Sequence, residues 1–160
     1  MSDKIVTKEQ LVEQLRARRV RGARVVFTNG CFDLMHIGHT RYLQAAKALG
    51  DLLVVGVNSD ESVRSLDKAP DRPIVPEAQR AEVLAALGCV DFVVVFSEPD
   101  PKALITAVQP DVLVKGGDWS PDRIIGRDVV EARGGKVQTI PLVPGFSTTA
   151  LIHRIRSAST

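Results

Sequence analysis

Apolar positions along this chain switch repeatedly between two periods. Leu11, Val12 and Leu15 recur at helical spacing behind Thr7 and Gln10, a capping-box pair, and predict a helix over residues 8–19. Past Gly22 the pattern becomes a short β-branched run, residues 24–28 (RVVFT), closing in Asn29-Gly30, which predicts a buried strand and a turn. Helical periodicity returns over residues 37–49, with Leu43, Ala46 and Leu49 on one side and Gly50 as the stop.

The alternation continues to the end of the chain. Further strands are expected at residues 52–57, 92–96, 112–115 and 136–140, and helices at 59–66, 77–87, 101–108, 123–133 and 148–156. Strands that are apolar throughout, separated by helices, predict an α/β fold: a Rossmann-like, doubly wound parallel sheet of five strands with helices on both faces, in a single domain. Residues 1–22 are expected to form a helical extension to a domain covering 23–160. The least regular piece is residues 65–76 (SLDKAPDRPIVP), whose three prolines and mixed charges predict a long loop, and loops of that length tend to be functional.

Composition narrows the classes. With 44% hydrophobic and 25% charged residues the chain has material for one core, and its apolar runs are far too short to span a membrane. No apolar leader follows Asp3, so a cytoplasmic protein is expected, with no membrane partner. A net charge of +2 is too mild for a nucleic-acid binder, and the basic run from Arg16 to Arg24 reads as the solvated end of a helix. The two cysteines, Cys31 and Cys89, have neither disulfide-framework nor zinc spacing.

The distinctive stretch is GCFDLMHIGH, residues 30–39. It occupies the turn after the first strand, the usual phosphate cradle of an open parallel sheet. His36 and His39 lie three apart on the first turn of a helix, whose exposed N–H groups and dipole favour an anion. Gly38 between them removes a side chain where a ligand approaches the backbone. Imidazole donors and helix amides there suit displacement at phosphorus, with charge stabilised on phosphoryl oxygens.

This tract resembles the G-x-F-D-x-x-H-x-G-H signature of the nucleotidyltransferase superfamily. VGVNSDESV (residues 55–63), RPIVPEAQRAEVLAAL (72–87), DVLVKGGDW (111–119) and GFSTTALIHRI (145–155) follow in the order and spacing of that family. Within it the nearest likeness is to the ADP-heptose synthases, the heptose 1-phosphate adenylyltransferases, here as a free-standing domain. The resemblance implies transfer of AMP from ATP to D-glycero-β-D-manno-heptose 1-phosphate, giving ADP-heptose and pyrophosphate for lipopolysaccharide core or surface heptose. It also implies Mg2+ accompanying ATP, a homo-oligomer (dimer or tetramer), and a separate sugar kinase and phosphatase upstream.

By the same resemblance His36, His39 and Lys68 are the expected catalytic groups. Thr28, Asn29, Gly30, Cys31 and Phe32 would hold the nucleotide, with Lys115, Gly117, Asp118, Ser147 and Thr148 completing its site. Cys31 reads as a small packing residue and not a nucleophile. Asp33, Asn58, Lys68, Arg72 and Arg80 are assigned to the substrate phosphates, with Asp33 open between an acceptor contact, a metal-bound water and a turn cap. ATP and a sugar phosphate bring about six negative charges together, each near-contact pair costing up to ~4 kcal/mol, so cations must face them. No carboxylate cluster reads as a metal cage, and the metal ligands stay unknown.

Other readings remain open at this level. The acceptor could be glycerol 3-phosphate, phosphopantetheine or FMN, with ATP or CTP as donor. Glycerol-3-phosphate cytidylyltransferases carry an arginine where this chain has Leu142, which weakens the cytidine reading. An aminoacyl-tRNA synthetase fragment would share HIGH but lacks here any K-M-S-K-S loop. A non-catalytic nucleotide-binding module would also fit.

Overall fold

A computed structural model describes residues 2–66, 69–117 and 119–159. The five strands β1 (Val25–Gly30), β2 (Leu52–Asn58), β3 (Phe92–Phe96), β4 (Val112–Gly116) and β5 (Lys136–Ile140) form one all-parallel sheet in the order β3-β2-β1-β4-β5. The chain winds outward from β1 to β3, then returns to β4 on the other side of β1. The carboxyl ends of β1 and β4 therefore border the switch point, where such sheets bind ligands.

Side-chain alternation explains why the strands read as continuously apolar. Val25 and Phe27 of β1, with Leu52 and Val54 of β2, enter one cluster; Val26, Leu53, Val55 and Val57 enter the other. The first cluster is covered by α1 (Lys8–Val20), α5 (Lys102–Val108) and α6 (Arg127–Ala132), the second by α2 (Ile37–Lys47) and α4 (Glu77–Ala85). Each wholly buried Leu or Phe in these layers contributes roughly 1.5–3 kcal/mol.

The N-terminal helix is part of this core: Leu11 and Leu15 are fully buried beside Leu104 and Phe92. The capping box is present, with Gln10 N–H donating to Thr7 and Thr7 N–H donating to the Gln10 side chain. One member of the basic run departs from the expected solvated role. Arg19 donates to the carbonyls of Val108 and Gln109 at 2.6 and 2.5 Å, closing the end of α5, where Gln109 is left-handed at φ +51°.

Several boundaries differ from the sequence expectation. Strand β1 runs on through Asn29 and Gly30 because both pair with β2, opposite Gly56 and Val57, so the turn begins only at Cys31. The expected helix over 123–133 is a 3-10 turn at Pro121–Arg123 and a separate α6, restarted by Gly126 at φ +92°. Helix α3 (Asp60–Ser65) is capped by Ser59. The last helix, α7 (Thr148–Ala158), contains no buried residue and is tied down by side chains: Thr148 donates to the Leu34 carbonyl at 3.2 Å, and Arg156 pairs with Asp71. No helix among the described residues is long and apolar enough to cross a membrane.

Candidate active site

The turn after β1 ends in an N-cap made of two histidines. His36 is the N-cap of α2, extended at φ -144°, and its Nδ1 accepts from the Gly38 N–H at 3.1 Å. His39, three residues on, accepts the His36 N–H at its own Nδ1 at 3.3 Å. With both Nδ1 atoms serving as acceptors, the hydrogen-bond pattern assigns the ring proton to Nε2 in each case. The rings lie 3.9 Å apart, centroid to centroid, and Phe32 packs on His39 at 5.5 Å. Burial lowers the pKa of His36; burial and then the neighbouring His36 push His39 down to about 4. Both imidazoles are thus neutral donors at neutral pH.

They face a cavity of about 560 Å³. Its wall takes Asn29, Gly30, Cys31 and Phe32 from β1 and its turn, Lys115 and Gly116 from β4, Arg72 from the proline-rich segment, and Ser147, Thr148 and Thr149 from the start of α7. Two cations and two imidazoles line it, with no carboxylate among the described residues, which is the composition a polyanion requires. A larger hollow of about 760 Å³ lies between the start of α1 and the end of β3. There Lys8 is outnumbered by Glu9 and Glu98, so that surface suits no polyphosphate, and the smaller cavity is the better candidate on chemical grounds.

Local structure explains each wall residue. Ser147 caps α7 by accepting from the Ala150 N–H at 3.0 Å, which leaves the hydroxyls of the Ser-Thr-Thr segment at the cavity edge. Lys115, one residue before the end of β4, holds its ammonium 5.4 Å from the Trp119 ring centre. Gly116 is closely packed: a Cβ there would lie 3.0 Å from Leu142 and 3.3 Å from Tyr42, so those side chains would have to yield. Gly117, one residue on, is left-handed at φ +93° and is not part of the wall.

Four of the expected site residues are turned away from the cavity. Asp33 is 3% exposed, its carboxylate receiving Arg72 Nε at 2.5 Å, the Ile74 N–H at 3.0 Å and the Val75 N–H at 2.8 Å. Burial pushes its pKa up, but the Val75, Ile74 and Arg72 donors together outweigh that and hold it below the ordinary value. No opening remains for an acceptor or a metal-bound water. Arg80 is 1% exposed and donates to the carbonyls of Val75, Cys31 and Asn58 and to Asp60, at 2.7–2.8 Å, so it braces the wall from behind. Asn58 donates to Ser62 Oγ at 2.9 Å, and buried Thr28 shares a 2.6 Å hydrogen bond with Tyr42. Lys68 and Asp118 lie outside the described residues.

The structure also adds residues that the sequence did not single out. Tyr42 lines the cavity, and its hydroxyl reaches Thr28 and the Val114 carbonyl, at 2.6 and 3.3 Å; burial pushes its pKa up to about 12, against the smaller effect of the Thr28 hydrogen bond. Its position was legible as the next step after His36 and His39 along one helix face. Leu142, noted in sequence only for the arginine it replaces, forms an apolar rim with Val143 and with Phe146 of the GFSTTALIHRI stretch.

Known proteins resemble this chain in sequence and in fold. The bifunctional protein HldE of Geotalea uraniireducens (strain Rf4) is 55% identical over 156 residues, covering 98% of this chain and 32% of that protein. HldE of Halorhodospira halophila (strain DSM 244 / SL1) is 56% identical over 153 residues, covering 96% and 32%. The chain thus spans about a third of the length of these curated relatives. Among solved structures, a lipopolysaccharide core biosynthesis protein from Thermoplasma volcanium GSS1 superposes with a TM-score of 0.63 at 31% identity, over 76% of this chain and 98% of that one. A pantoate-beta-alanine ligase from Francisella tularensis, at 14% identity and TM-score 0.61 over 99% of this chain and 79% of that one, shares the fold. Residues 27–154, from mid β1 to mid α7, match the family description of cytidylyltransferase-like proteins, and the chain belongs to that family.

Proposed function

We propose that this chain transfers AMP from ATP to the phosphate of D-glycero-β-D-manno-heptose 1-phosphate, releasing pyrophosphate. The observation that carries the reading is the cavity wall itself: paired neutral imidazoles, Arg72, Lys115 and three hydroxyl residues, with no carboxylate among the described residues. An oxygen of the sugar phosphate bonds to the α-phosphorus as the bond from that phosphorus to the bridging oxygen breaks, and pyrophosphate leaves with the electron pair. The nucleophile is already ionised at neutral pH, so no general base is needed. That agrees with histidines whose Nδ1 atoms are occupied by backbone N–H groups and whose Nε2–H groups remain to donate. Each such donor to a charge-bearing oxygen supplies on the order of 2.7–4 kcal/mol of barrier lowering.

Arg72 and Lys115 offset triphosphate charge, joined by Lys68, and the Ser147-Thr148-Thr149 segment receives the distal phosphates. Asp118, two residues beyond β4 in sequence, is assigned to the nucleoside by the family resemblance. Magnesium would accompany ATP, with the nucleotide phosphates as its main ligands. ATP is favoured over CTP because Leu142, on the cavity rim, stands where glycerol-3-phosphate cytidylyltransferases resemble one another in having arginine. The heptose follows from the resemblance to ADP-heptose synthases, and the Thermoplasma relative is a lipopolysaccharide core biosynthesis protein. A cytoplasmic homo-oligomer, fed by sugar-kinase and phosphatase reactions, completes the reading.

The test is pyrophosphate release from ATP with heptose 1-phosphate, beside arms with CTP and with glycerol 3-phosphate, phosphopantetheine and FMN. Release is expected with ATP and the heptose phosphate. Faster release in another arm reassigns the substrate, and ATP binding without release in any arm replaces the enzyme with a nucleotide-binding module.

A further inference from the structure

Asp33 lies inside the signature turn, yet its side chain is wholly buried and none of it reaches the cavity. It reaches across 39 residues of sequence to the proline-rich segment, where it accepts Arg72 Nε and the successive N–H groups of Ile74 and Val75. We propose that Asp33 is a positioning residue: its carboxylate pins residues 72–75 behind the phosphate cradle and aims the Arg72 guanidinium into the cavity, so that triphosphate binding depends on Asp33 through Arg72. The inference rests on the nucleotidyltransferase reading above and extends it to a residue that touches no substrate.

The geometry makes the dependence directional. A guanidinium is a planar fork; once Nε is committed to a carboxylate, the plane is fixed and the Nη groups point the other way. Arg72 is a wall residue of the cavity, and among the described residues Asp33 is its side chain's partner. At 7% side-chain exposure, Arg72 without a counter-charge would swing into water, because burying an unpaired cation is costly. A triphosphate would then have to draw it back and desolvate it. With Asp33 in place the cation is desolvated and oriented before any ligand arrives.

Simple neutralisation of Arg72 by Asp33 would weaken the attraction for phosphate. Orientation and prior desolvation outweigh that effect here, since the pair is buried and both carboxylate oxygens are also held by backbone N–H groups. Arg80 reinforces the same seam by donating to the Val75 and Cys31 carbonyls, at 2.8 and 2.7 Å. The turn and the segment facing it therefore move as one piece.

A double-mutant cycle on the full chain tests this, with ATP affinity by calorimetry and kcat/KM by pyrophosphate release for wild type, Asp33→Asn, Arg72→Gln and the double variant. Each single change is expected to lose on the order of tenfold to hundredfold, the range for a hydrogen bond to a charged group, and the double variant no more than the worse single. Amide exchange at Ile74 and Val75 is expected to quicken in Asp33→Asn and to stay slow in Arg72→Gln. A double variant whose loss is the product of the two single losses, or an Asp33→Asn protein with wild-type affinity, overturns the proposal. If Asp33→Asn does not fold, Arg72→Lys decides: it keeps the charge without the Nε fork, so a loss like that of Arg72→Gln supports the inference and wild-type affinity overturns it. A wild-type chain that neither binds ATP nor releases pyrophosphate sinks the functional reading and this inference with it, whereas variant failures against an active wild type concern Asp33 alone.

Discussion

Replacing Gly38 by alanine should separate activity from stability. Gly38 is the second residue of α2, between the two histidines, and its backbone is helical, so alanine meets no conformational strain. Helix propensity alone would favour alanine by up to about 0.5–1 kcal/mol. The new Cβ, however, would lie 2.8 Å from both Cε1 and Nδ1 of His36 and 3.3 Å from Cβ of Phe146. The ring of His36 ends a flexible side chain, so it yields by rotating and gives up its 3.1 Å hydrogen bond from the Gly38 N–H. That lost bond costs about 0.5–1.5 kcal/mol, and an off-rotamer torsion adds a similar amount. Set against the propensity gain, net destabilisation stays at roughly 1–2 kcal/mol, a change in Tm of only a few degrees.

The catalytic cost is larger, because the displaced ring no longer offers Nε2–H to the cavity. Loss of one such donor corresponds to on the order of 10²–10³ in kcat. Steady-state pyrophosphate release and differential scanning calorimetry on the same preparation measure the two effects. In a His36→Ala background the Gly38→Ala change should cost almost nothing further. A Gly38→Ala enzyme within about tenfold of wild type, less than about 1.4 kcal/mol of barrier, would refute the placement of His36 at the reacting phosphate.

Three further outcomes follow from the same geometry. His39 is held near 4 in the folded chain, by burial and then by His36, against the ordinary histidine value of 6.5 once unfolded, so the unfolded chain binds a proton that the native one refuses; stability is complete above about pH 6.5 and falls as pH drops toward 4, with His36 contributing in the same direction. Proton NMR of the imidazoles and a Tm series across that window check this, and a His39 titration at or above 6.5 contradicts it. Arg80→Met should cost about 3–5 kcal/mol in urea unfolding, since it leaves Asp60 and the Val75, Cys31 and Asn58 carbonyls without their donor; a loss below about 1 kcal/mol would show that the seam relaxes freely. Tyr42→Phe should cost about 1–3 kcal/mol, because the Thr28 hydroxyl, fully buried, loses its 2.6 Å partner; thermal unfolding reads it, and an unchanged Tm would mean that Thr28 finds another.

What can be read from the sequence is whatever is local. The β1 strand, its glycine turn and the His36–His39 pair lie within a short span, and spacing alone places both imidazoles on one helix face. Partnerships formed across the fold are not legible. Asp33 and Arg72 are far apart in the chain, and a charged residue in a proline-rich loop looks solvated until its partner is known. Arg80 reads as a phosphate ligand for the same reason, although it shares a helix face with Ala81 and Leu84, and its place on an apolar stripe is a sign of burial. Gly116 and Gly117 look alike as a pair in sequence. The fold separates them: Gly116 lines the cavity with Leu142 and Tyr42 close against it, whereas Gly117 holds a left-handed φ of +93° that favours glycine for its backbone alone.

The way the cavity is drawn from the chain has a consequence for shortened products. Among the described residues every fully buried hydrophobic one lies at or before Val130, and the sheet is complete at Ile140, yet the wall includes Ser147, Thr148 and Thr149. A polypeptide cut short after β5 would keep its packed interior and still lack the hydroxyls that close one side of the cleft. Such a product would pass any check that senses only exposed core, and it would accumulate without the proposed activity.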